Sequence, residues 1–359
     1  MTRTATAWAW CTHLIPIYAL YALLFADSGL SDAQISVLLA IWSTTAVVFE
    51  VPSGAIADRF SRRGCLVASG VLQAFGYAAW VVFPSFWGFA AGFVLWGLGG
   101  TLTSGAFEAL LYDGLAANGD EESYGRVNAR VDTVELVAQV PVAVVATALF
   151  SFGGYQLAGW ASVAMCLLSS VIALRFPEPE RESSEEEGYL ATLRTGLRES
   201  VPVKRAVIAV SLVFAIDAFE EYFTLLAQDW SVPTVWVPMA TIGVPLMGAA
   251  GASLAGRLPW RGWVLFASGA VLLLAAVLAV PVAIVLLGLF YGLYRFVLVH
   301  VETDLQHRID TDARATVTSV AGIGSEFVAF AVYAAWVLGS AVAVGVLVLV
   351  IAVVVSVRK

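Results

Sequence analysis

Asp217, Glu220 and Glu221 lie within one long apolar stretch, and Arg295 and Glu326 lie in the middle of two others. An ionised side chain at mid-membrane costs roughly 2.5–3.5 kcal/mol on insertion scales, so such residues face a partner or a wet cavity. Asp217 and Glu221 sit one helical turn apart and share a face. Acids crowded together in a low dielectric bind and release protons near neutral pH, which makes Asp217, Glu220 and Glu221 candidates for proton coupling. One proton moving down 100 mV yields roughly 2.3 kcal/mol, enough to bias a transport cycle. Several acids with a single Arg295 favour a cationic or zwitterionic solute, with Arg295 either touching that solute or neutralising an acid. His13 and Glu50 complete the candidate set. His13 is a relay or a satisfied polar residue, and Glu50, just before Pro52, carries protons or braces a kinked helix end. The only histidines are His13, His300 and His307, and no His/Cys ligand cluster or phosphate-cradling Gly-Lys-Ser loop is present. An enzyme, a metal site and a bound cofactor therefore have no support in the residues.

These charges need long helices to carry them. Of the 359 residues 60% are hydrophobic and 13% charged, against roughly 25% charged in soluble domains. Lipid offers the backbone no hydrogen bonds, so apolar runs must close their own ladders as helices. Stretches such as 265–294 do not alternate as barrel strands would. Apolar runs and turn signals predict spans near 7–26, 33–56, 65–83, 86–112, 126–151, 154–175, 203–227, 233–255, 262–280, 282–307, 313–336 and 339–357. The expected fold is an all-α membrane protein with twelve transmembrane helices. Cys11, Cys65 and Cys166 read as packing residues, and the first span reads as retained rather than cleaved. Apart from Arg295, the basic residues cluster at alternate turns, which places those turns and both termini in the cytoplasm of a multi-pass cell-membrane protein. Trp8, Trp87, Trp230 and Trp263 are expected in the interfacial belt.

An acidic run from Pro177 to Glu187 divides the chain. The expected organisation is an N-terminal six-helix bundle over 1–176, a cytoplasmic acidic linker with an amphipathic segment over 177–202, and a C-terminal six-helix bundle over 203–359. The halves echo each other. LLFAD at 23–27 recurs as LLAQD at 225–229, AIADRFSRRG at 55–64 as SLAGRLPWRG at 253–262, and WGLGG at 96–100 faces YGLYR at 291–295. Parallel repeats of this kind, with a solute site near mid-membrane, are a known transporter plan.

GAIADRFSRRG at 54–64 falls on the turn between the second and third spans. It resembles the signature loop of the major facilitator superfamily, and the resemblance extends over the chain through span number, halves and orientation. Within this loop Gly54 would allow close helix approach. Asp58 would pair with an arginine or a helix N-terminus, while Arg59, Arg62, Arg63 and Gly64 complete the basic cluster. The resemblance implies that Asp58 and Arg59 latch one state of a transport cycle. In the repeat the acid is replaced by Gly256. The sequence is similar to efflux-type members, yet AQVPVAVVATAL at 138–149 keeps Pro141 without the glycines that flank it in proton-driven drug exporters. Toward the basic ends, Glu108, Asp113, Asp132, Glu135, Glu302 and Asp304 lie at depths similar to Arg126, Arg130, Arg308 and Arg314, as gate salt bridges would require. The function expected is secondary active transport by alternating access, as proton-coupled export of an amphipathic or cationic molecule. The alternatives are a symporter or facilitator importing a small polar solute, and a membrane receptor or scaffold that transports nothing. The expected partners are a small-molecule substrate, protons and the lipid bilayer, without nucleic acid, for a chain acting as a monomer.

Overall fold

The computed structural model describes residues 1–104, 106–117, 119–178, 200–259, 262–309 and 314–357. Most of the acidic linker, the basic residues Arg261, Arg358 and Lys359, and the side chains of Asp58 and Arg314 lie outside the described residues. The elements are helices α1 (Thr2–His13), α2 (Tyr21–Asp27), α3 (Asp32–Arg59), α4 (Arg62–Val82), α5 (Phe86–Thr103), α6 (Ala106–Ala116) and α7 (Tyr124–Ala173). After the linker come α8 (Lys204–Phe214), α9 (Phe223–Asp229), α10 (Val237–Thr241), α11 (Gly243–Ala255), α12 (Trp263–Leu278), α13 (Ile284–Arg308) and α14 (Arg314–Val357). No strand occurs among the described residues, and α or 3-10 helix makes up most of the described residues in each stretch expected to span. Among the described residues eight helical runs are long and apolar enough to cross a bilayer. The chain forms two compact units, Met1–Glu185 and Glu186–Lys359.

Proline and glycine set the interruptions. Pro16 has no N–H and forces Ile15 into extended backbone (φ −113°, ψ 93°), so α1 ends at His13 and a 3-10 turn, Pro16–Ala19, precedes α2. The Ile17 N–H freed there donates to Ser162 Oγ at 3.0 Å. Within α7 the helix breaks at Gly153 (φ −152°, ψ 19°) and Gly154 (φ 58°, ψ −153°). Within α14 nearly the same pair of conformations recurs at Gly339 (φ −172°, ψ 28°) and Ser340 (φ 52°, ψ −144°). Each of these helices is long enough for two crossings of a roughly 30 Å core. Serines start the helices that follow turns. Ser31 forms a capping box with Gln34 ahead of α3, and Ser61 and Ser85 accept the Gly64 and Gly88 N–H groups ahead of α4 and α5.

Aromatic rings fill both cores. In the first unit Phe25 meets Phe89 at 4.1 Å and Trp80 at 5.2 Å, while Trp8 stacks on Phe107 at 4.5 Å. In the second, Tyr222 stacks on Trp336 at 4.4 Å, and Phe219 packs edge-on against Phe290. Trp87 and Trp263 are exposed as expected of belt residues, but Trp8 and Trp230 are buried. Trp8 belongs to a core cluster with Leu66, Phe107, Leu110 and Phe176. Proximity to a span end marked it as interfacial, and ring packing overrides that.

Candidate functional site

The sequence's most costly residues converge in the second unit. Between α8 and α9 the backbone tightens into eight residues of 3-10 helix, Ala215–Tyr222. In a 3-10 helix residues i and i+3 eclipse, so Asp217 and Glu220 present their carboxylates on one side. Facing them on α13 is Tyr291, whose hydroxyl lies 2.9 Å from Asp217 Oδ1 and 2.6 Å from Glu220 Oε2. One turn further along α13, Arg295 Nη1 stands 3.4 Å from Asp217 Oδ1, with the two side chains 33% and 30% exposed. The ion pair is thus neither sealed in the core nor on open surface. Tyr294 is fully buried and donates to the Phe214 carbonyl oxygen at 3.4 Å. Glu302, grouped with the gate acids by depth, instead feels the charges of Arg295 and Asp217.

Close backbone approach holds this group in place. A Cβ on Gly248 of α11 would come within 2.6 Å of the Tyr291 ring and 3.2 Å of Arg295 Cγ. A Cβ on Gly251 would run into the Gly292 carbonyl oxygen. Small residues on α11 therefore seat α13 and fix the height of Tyr291 and Arg295. Tyr291 was not singled out in the sequence. The signal available was its place one helical turn before Arg295 in YGLYR.

The family model of the Major Facilitator Superfamily matches residues 6–334. The chain belongs to the major facilitator superfamily. Among solved structures it is similar to the POT family transporter PepTSo, at 13% identity and a TM-score of 0.74, covering 99% of this chain and 97% of that one. It is also similar to the nucleoside transporter NupG, at 13% identity, a TM-score of 0.71 and coverage of 99% and 96%. A third is a D-xylose-proton symporter, at 15% identity, a TM-score of 0.66 and coverage of 99% and 95%. No curated protein matches the chain. Membership implies a multi-pass membrane protein that carries out secondary transport of a small solute, in a family of transporters rather than enzymes.

The turn between α3 and α4 is held together at the start of α4. Ser61 Oγ accepts the Gly64 N–H at 2.7 Å and donates to Glu178 Oε2 at 2.7 Å. The same carboxylate accepts the Arg63 N–H at 3.3 Å and lies 3.7 Å from the Arg63 guanidinium. Arg62 pairs with Asp113 of α6 at 2.6 Å. Gly64 has a steric role, since a Cβ there would press on its own cap, Ser61 Oγ, at 2.9 Å. A Cβ on Gly54 would meet nothing within 4 Å among the described residues. Arg59 is exposed beside the Phe60 ring.

The remaining candidates are scattered. Glu50 accepts from Ser104 Oγ at 2.7 Å, which ties α3 just before Pro52 to the interruption between α5 and α6. His13, at the end of α1, is within electrostatic reach of Glu135 on α7. Asp304 pairs with Arg308 at 2.9 Å, an exposed contact within α13 itself. Glu108, Arg126, Arg130, Asp132 and Glu135 are exposed, and no ion pair joins them among the described residues. Glu221 and Glu326 are half-buried.

Proposed function

We propose that this transporter is proton-coupled and that Asp217, Glu220, Tyr291 and Arg295 form its coupling centre, moving an amphipathic or cationic solute outward across the cytoplasmic membrane. The carrying observation is that two acids, a phenol and an arginine, drawn from separate apolar helices, meet within hydrogen-bonding distance. Burying such a set is favoured structurally only if it is fully paired. Arg295 and Asp217 are instead about one-third exposed, as groups that exchange protons or meet solute must be. Both termini lie in the cytoplasm in this reading, with Glu221, Glu326, His13 and Glu50 as secondary candidates for coupling. Ser61–Gly64, Asp113 and Glu178 brace the basic end, with Asp58 and Arg59 as its latch. The name of one structural neighbour, a proton symporter for D-xylose, supports proton coupling.

Pro141 without flanking glycines favours a second reading, proton-linked import of a small polar solute. Vesicles containing the purified protein and a pH-sensitive dye separate the two. With tetraphenylphosphonium, nucleosides, sugars and dipeptides as probes, proton flux opposite to solute supports export, and flux with solute supports import. Asp217→Asn and Glu220→Gln are expected to abolish either. Solute movement that leaves the dye unchanged in wild-type protein overturns the coupling.

A further inference from the structure

We infer that Glu220 is the residue that holds the coupling proton and that the Tyr291 hydroxyl passes it to Asp217; this deepens the proton-coupled reading and rests on it. The argument is a count of hydrogens. A phenol has one hydrogen to donate, and an ionised carboxylate has none. Tyr291 nevertheless stands 2.9 Å from Asp217 and 2.6 Å from Glu220, both within the O–H···O range. Two ionised acids would leave one of these contacts as lone pair against lone pair, so a second hydrogen resides on one acid. Arg295 selects which. Its guanidinium stands 3.4 Å from Asp217 Oδ1, so the second hydrogen is assigned to the other acid. Glu220 then donates to the phenol oxygen, and the phenol donates to Asp217.

The chain of hydrogen bonds has a direction. When the Tyr291 hydrogen moves to Asp217 and the Glu220 hydrogen moves to the phenol oxygen, Tyr291 stays neutral, Glu220 becomes ionised and Asp217 becomes an acid. Asp217, whose side chain is 30% exposed, then gives its proton to water and recovers its pairing with Arg295. One proton leaves and no other bond changes. Afterwards the phenol's single hydrogen must serve two eclipsed, ionised carboxylates. Rewinding Ala215–Tyr222 from 3-10 to α would swing Asp217 and Glu220 apart by about 60° around the helix axis. Eight residues of 3-10 helix also exceed the three or four usual for such runs, which marks the segment as a hinge.

Further titratable groups on the elements that meet here include Tyr294 and Glu302 on α13, Glu221 and Tyr222 on the 3-10 segment itself, and Glu326 and Tyr333 on α14, which packs against that segment. Helix α11, behind Tyr291, carries none.

The test is pH-dependent infrared difference spectroscopy of the purified full-length protein without solute. The wild type is expected to show one protonated-carboxyl stretch that disappears as pH is raised, and a ring-labelled tyrosine C–O mode that moves with the same midpoint. Glu220→Gln should remove both changes, Glu220→Asp should shift the carboxyl band without removing it, and Glu221→Gln and Glu326→Gln should leave it in place. Tyr291→Phe should move the midpoint by about one pH unit, a tenfold change in proton affinity. A carboxyl band that survives Glu220→Gln, a wild type without such a band, or a tyrosine mode that ignores the titration overturns the inference. A titrating Glu220 band in a protein whose solute flux moves no protons would defeat the transport reading while leaving the proton site intact.

Discussion

At the scale of residues, the Arg295–Asp217 pair shows how one contact both stabilises and selects. Arg295→Gln leaves Asp217 near Glu220 without its cation, whereas Asp217→Asn with Arg295→Gln removes both charges. Because the pair is about one-third exposed, its loss is screened. The single variant is expected to lose about 1–2 kcal/mol, and the double variant to regain more than half of that, in unfolding followed in detergent. Ser61 offers an independent check in the first unit, since it caps α4 and holds Glu178 at once. Ser61→Ala is expected to cost about 1 kcal/mol. Equal loss when Glu178 is also changed to Gln would show that the cap, not the Glu178 contact, carries the effect.

At the scale of elements, glycines decide how closely helices pack and how turns close. Gly251→Ala would force the Gly292 carbonyl away and is expected to cost about 1–3 kcal/mol by overpacking. Gly256→Ala, at the residue that follows α11, meets open space and is expected to be neutral. Thermal unfolding of the two variants side by side checks this. Ser340 occupies at φ 52° the place that Gly154 fills at φ 58° in the earlier turn. Ser340→Gly is expected to raise stability by about 1 kcal/mol, and Gly154→Ala to lower it by a similar amount. Melting temperatures that do not separate these variants would remove the claim of strain at Ser340.

At the scale of the whole molecule, the orientation proposed above makes a labelling prediction. The native cysteines Cys11, Cys65 and Cys166 are buried, so added ones report cleanly. Cysteines at Ser28, Ser85 and Ser231 are expected to react with an impermeant maleimide from outside the cell. One at Ser123 is expected to react only after the membrane is opened. Reaction of Ser123 from outside would reverse the orientation.

Much of the architecture was legible in the amino-acid order. Apolar runs beyond the length of a bilayer core must become helices because lipid leaves the backbone no alternative partner, and the loop at 54–64 carried the family. The turns expected between 151 and 154 and between 336 and 339 lie at the breaks at Gly153 and Gly339, whereas the first expected span, 7–26, gave no place to the interruption that Pro16 imposes. What sequence spacing could not decide was pairing. α-Helical periodicity placed Asp217 with Glu221, one turn apart, but the backbone winds there as a 3-10 helix, and this sets Asp217 with Glu220 instead. Tyr291 looked like one more aromatic residue until α13 brought its hydroxyl between those two carboxylates. Similar depth made Arg126 and Arg130 gate candidates, but depth does not specify which acid each would meet. Local sequence dictates where helix forms, because the cost of an unpaired backbone is local. Which polar side chains meet depends on helix rotation and close approach, as at Gly248 and Gly251, and only the packed tertiary structure determines those.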